Sequence, residues 1–71
     1  MYLNIFTRGP NAHGISIEVQ RYLSLEEVSR LIKATEIAFG VTNLHYKYLG
    51  SPYKVINPRY LPLIREIYKS L

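Results

Sequence analysis

A chain of 71 residues has room for one domain, 1–71, and at this size folding buries only about 60% of the surface the unfolded chain exposes. With 48% hydrophobic residues and nine aromatics the composition excludes a disordered tail, and the absence of cysteine excludes disulfides and thiolate metal sites. Nine basic against five acidic side chains give a net charge of +4 without any run of consecutive lysines or arginines, a balance compatible with an acidic protein or a nucleic acid as partner.

Tyr2 to Thr7 alternates Leu3, Ile5 and Thr7 with Tyr2, Asn4 and Phe6 in a β-branched and aromatic context, which predicts a strand. Arg8-Gly9-Pro10-Asn11-Ala12-His13-Gly14 is dense in turn formers and reads as a loop. Ile15, Ile17 and Val19 then alternate with Ser16, Glu18 and Gln20, so a second strand follows and the two form an antiparallel hairpin.

Ser24 and Glu27 have the spacing of a capping box, Leu23 and Val28 that of a hydrophobic staple, and Glu26 and Glu27 place negative charge where a helix dipole favours it. A helix therefore begins at Leu25. Its apolar stripe is Val28, Leu31, Ile32, Ala38 and Phe39, with Arg30, Lys33 and Glu36 off it, and the stripe is expected to cover the hairpin. Gly40 suits a left-handed cap, although Val41, Leu44 and Tyr48 would also continue the stripe as far as Gly50.

Leu44, Tyr46 and Tyr48 alternate with His45 and Lys47, and a Gly50-Ser51-Pro52 turn precedes Tyr53 to Ile56, which suggests a second hairpin. Asn57-Pro58 can open a closing helix, or Pro62 can move its start later, and Leu61, Ile64, Tyr68 and Leu71 form one face of that helix. The expected fold is a small two-layer α+β domain of order β-β-α-β-β-α, with β-β-α-α as the alternative if residues 41–49 are helical.

Charge divides the chain unevenly, because residues 1–36 balance four cations with four carboxylates. The second half carries Lys47, Lys54, Arg59, Arg65 and Lys69 against Glu66 alone, and it also holds Tyr46, Tyr48, Tyr53, Tyr60 and Tyr68. Cations interleaved with aromatics suit nucleic acid, where the cations neutralise phosphates and the rings stack on bases. The same alternation describes a half-buried strand with lysine stems on its wet side. Ile37 to Thr42 resembles the turn of a helix-turn-helix, but an alanine in that family precedes the turn glycine by about four positions and Ala38 precedes Gly40 by two.

His13, His45, Ser51 and the five glutamates have no spacing that secures a nucleophile beside a base, and the two histidines have no ligand partner at helical spacing. No metal and no cofactor are expected, and an enzyme is the least supported class. The short apolar runs predict no membrane span, and Met1-Tyr2-Leu3-Asn4 has no signal-peptide layout, so a soluble cytoplasmic protein is expected. A core this small without staples favours self-association. The sequence therefore points to a non-enzymatic interaction module that binds itself, as a dimer or larger, or an acidic protein. Its alternative is a nucleic-acid-binding protein using the basic, tyrosine-rich half.

Overall fold

Two-residue alternation and one buried face make Tyr2–Phe6 (β1) and Gly14–Glu18 (β2) strands, and the capped amphipathic segment that follows becomes the helix Leu25–Phe39 (α1). His45–Leu49 (β3) and the helix Tyr60–Ser70 (α2) complete the order β-β-α-β-α in the computed structural model, which describes residues 1–8, 14–52 and 59–71.

β1 lies in the middle of the sheet. It pairs antiparallel with β2 on one side and with β3 on the other, giving the order β2-β1-β3. Leu3 stands opposite Ile17 and Tyr48, and Ile5 opposite Ile15 and Tyr46, so these six side chains share one face. Both helices cover that face. Leu3, Ile5 and Ile15 form the core with Ala34 of α1 and Ile64 of α2, and Leu31, Ile32, Phe39 and Leu61 pack around it. Beyond β2, Val19 N–H donates to the Met1 carbonyl and the Met1 amino group to the Val19 carbonyl, which carries the ladder one pair further.

The far face of the sheet carries Asn4 between Ser16 and Lys47. Asn4 is 1% exposed, and its Oδ1 accepts a hydrogen bond from the Ser16 hydroxyl, so that buried oxygen is bonded.

Both bonds of the capping box are made. Glu27 N–H donates to Ser24 Oγ at 3.1 Å, and Ser24 N–H donates to Glu27 Oε1 at 3.0 Å. Arg21 adds a fork onto the same carboxylate at 3.2 and 3.1 Å. α1 stops at Gly40, whose φ of 69° is left-handed, and the N–H groups of Gly40 and Val41 both donate to the Glu36 carbonyl. That left-handed closure ends the helix, and residues 45–49 form a strand, so the helical continuation through 41–49 and with it the order β-β-α-α are ruled out.

α1 and α2 run antiparallel. At one end of the pair, Phe39 and Tyr60 meet edge to face at 4.7 Å. At the other, Arg30 donates to the Tyr68 and Leu71 carbonyls at 3.0 and 3.1 Å, and its guanidinium lies 4.5 Å from the Tyr68 ring centre. A cation so placed bonds carbonyls at the end of the helix, of which that of Tyr68 also accepts the Leu71 N–H, and complements its dipole.

The structure adds a long-range pairing for β3, and two expectations lie outside the described residues. β3 docks on β1, a long-range partner, whereas the expected hairpin partner Tyr53–Ile56 lies outside the described residues. α2 begins after Arg59, which makes no side-chain cap, and the expected Asn57-Pro58 start is likewise outside the described residues. Pro62 falls in the first turn, where its missing N–H forfeits no helical bond.

Gly14 has no room for a side chain, since a Cβ built there would lie 2.8 Å from the Ile5 carbonyl oxygen, a main-chain atom of the central strand. Gly14→Ala is expected to lower the unfolding free energy by about 2 kcal/mol in urea titrations. Wild-type stability in that variant would mean that β1 and β2 do not approach so closely.

The Glu27 carboxyl is lowered from 4.5 to about 2, first by the hydrogen bond from Arg21 and then by those from Ser24. A carboxyl lowered on folding contributes stability that is complete above its unfolded value and fades as pH falls through the folded one. The difference in Tm between wild type and Glu27→Gln should therefore be largest near neutral pH and shrink between about pH 4.5 and about pH 2. A difference that stays constant over that window would contradict the fork and the cap.

Candidate functional site

α2 turns Ile64 fully inward and Leu61 and Tyr68 partly so, which leaves Arg65 and Lys69 exposed one turn apart beside them. Their stems border a groove of about 370 Å³. Ile17 of β2, Leu23 of the connection before α1, and Leu31 of α1 form its other apolar walls. Glu27 also lines it.

Charge at the rim is determined by which of these groups is already matched. Glu27 is held by Arg21 and Ser24, as described above, so its negative charge is locally compensated. The Lys69–Glu66 contact spans 3.9 Å between side chains 74% and 75% exposed, the kind of surface pair that contributes little and is screened by salt. Arg65 enters no ion pair with the described residues. The groove is thus an aliphatic trough with a positive rim along α2.

The residues singled out from the sequence fall into three groups. Arg65 and Lys69 come together at the rim. Lys47 stands on the far face of the sheet, where with Asn4, Phe6 and Leu49 it lines a shallow pocket of about 120 Å³. Arg59 is exposed beside the first turn of α2, while Tyr53, Lys54 and His13 lie outside the described residues.

The tyrosines are largely occupied with structure. Tyr48 is half-buried, its hydroxyl accepts the Leu23 N–H at 3.0 Å, and Tyr22 meets its ring edge-on at 4.8 Å. Tyr60 packs on Phe39, and among the described tyrosines of the second half Tyr46, 42% exposed, offers the most of its ring to solvent. The basic, tyrosine-rich half therefore does not form one continuous surface among the described residues, because strand alternation sends Lys47 and the α2 cations to opposite sides.

The groove residues Ile17, Leu23, Leu31 and Leu61 were legible only as core positions. What separates them from the sealed core is that no further element among the described residues covers this side of the helical layer. Among the described residues no group of three His, Asp or Glu side chains could hold a metal ion, and no helix is long and apolar enough to cross a membrane.

No protein-family model matches the chain, and neither does any curated protein or solved structure.

Tyr48→Phe tests how firmly the Leu23 wall is held. Losing the hydroxyl leaves a partly buried N–H without its acceptor, so a destabilisation of about 1 kcal/mol is expected in thermal or urea unfolding. An unchanged stability would show that solvent replaces the hydroxyl and that Leu23 is not held by it.

Proposed function

We propose that the protein is a non-enzymatic interaction module that binds a protein partner through the groove between β2, α1 and α2. The observation that carries this is the combination of an aliphatic trough with the two cations Arg65 and Lys69 at its edge. Apolar burial supplies affinity in such a surface, while rim charge selects the partner and steers its approach.

Charge argues for a partner of opposite sign over a second copy. Two copies each carry +4 and repel one another, whereas a partner of opposite sign is attracted to the rim. Nucleic acid has less support. A phosphate backbone would reach either Arg65 and Lys69 or Lys47 but not both sets at once, and the Tyr48 and Tyr60 rings are engaged inside the fold.

A photo-crosslinking side chain introduced at Glu66, which is exposed beside the rim, tests the proposal in cells that express the full chain. The expected product is an adduct with a distinct protein. It should fall by about tenfold or more in Leu61→Asp, with folding verified by circular dichroism, and persist in Lys47→Glu. Adducts formed only with another copy of the chain, only with nucleic acid, or equally in Leu61→Asp would overturn it.

A further inference from the structure

We infer that the segment occupying the groove is a short amphipathic helix whose acidic side chains, spaced one turn apart, pair with Arg65 and Lys69, an assignment that rests on the partner-binding reading above. Three features of the groove lead to it.

First, the wall contributed by α2 is a helical stripe. Leu61, Ile64 and Tyr68 recur at three and four residues and extend over about 10 Å of helix. Ridges of this spacing accept the side-chain rows of another helix. Second, the lining is almost wholly apolar side chain. An extended segment needs main-chain hydrogen bonds from its binding surface, whereas a helix satisfies its own backbone and asks the groove only for apolar contact. The occupant suited to this surface is therefore helical.

Third, Arg65 and Lys69 are four residues apart on one helix, so their Cβ atoms are about 6 Å apart and both stems leave the same face. Glutamates at positions i and i+4 of a docked helix have the same separation. Glu27 lies on the opposite side of the trough, where Arg21 compensates it, so along α2 the acidic flank would meet Arg65 and Lys69 with Glu66, loosely held by Lys69 at 3.9 Å, as the carboxylate it must displace.

The test uses the intact chain and hydrocarbon-stapled peptides, which remain helical in isolation. One peptide carries leucines at i, i+3 and i+7 with a flanking Glu pair at i, i+4. Two others replace that pair with Gln or Lys, and a fourth has the Glu composition with prolines that keep it extended. Fluorescence anisotropy should show the Glu peptide binding about tenfold more tightly than the Gln peptide, as two rim ion pairs allow, with the advantage shrinking as salt is raised.

Arg65→Glu combined with Lys69→Glu should reverse the preference, so that the Lys peptide binds best. Both positions are exposed, and an unchanged melting profile would confirm that the variant folds. Equal binding of the Glu and Gln peptides would overturn the inference, as would equal binding of the extended peptide or no binding by any stapled peptide. Decanoate displacing a bound dye where the Glu peptide cannot would assign the trough to a small apolar anion instead. Failure of the peptides with retained, Leu61-dependent crosslinks would remove the acidic helix and leave the partner-binding role intact. Loss of the crosslinks' dependence on Leu61 would remove both.

Discussion

β1 is bonded along both edges, and its Leu3 and Ile5 side chains are completely buried under the helices, so every other element takes its position from this strand. Burying two such side chains contributes about 3–6 kcal/mol, a large share of the stability available to a domain of this size. The register transmits that constraint. With Leu3 and Ile5 facing the helices, pairing forces Ile15 and Ile17 to the same side, and a slip of one residue would bring Asn4 and Ser16 into the apolar layer. The Asn4–Ser16 hydrogen bond on the far face opposes that slip.

The local devices of the fold were readable in the sequence because each depends on residues close together in the chain. The Ser24–Glu27 box, the Leu25 start, the Gly40 stop and the alternation of β1 and β2 all appear where their short-range chemistry placed them. The partner of β3 was not readable, since a chain segment that alternates Tyr46 and Tyr48 with Lys47 specifies a strand without specifying which edge it joins. Arg30 shows the same limit. It lies off the apolar stripe of α1, which reads as solvent exposure until α2 arrives and supplies two carbonyls and an aromatic face.

The candidate site was legible in its parts and not in its assembly. Arg65 and Lys69 are visible as cations at helical spacing, but strand alternation, which no count of charges along the chain expresses, separates them from Lys47. Nor does the sequence distinguish Leu61 in a groove from Leu61 in a core, because the apolar pattern of α2 is the same in both cases. The distinction arises from the number of layers. Two helices cover a three-stranded sheet here, and on the side of Ile17, Leu23 and Leu31 nothing in the described chain completes the cover.

The Arg21–Glu27 pair connects folding to that surface. Glu27 closes the first turn of α1, and its ionised form accepts the Ser24 N–H most strongly, yet it also lines the trough, where a free carboxylate would repel an acidic partner. Arg21 resolves the conflict by holding the carboxylate from the connection that precedes the helix. Neither member lies in the chain's basic second half, so the polarity of the groove depends partly on the half whose charges sum to zero. A segment that contributes no net charge thereby lets two cations on α2 determine the sign of the field at the rim.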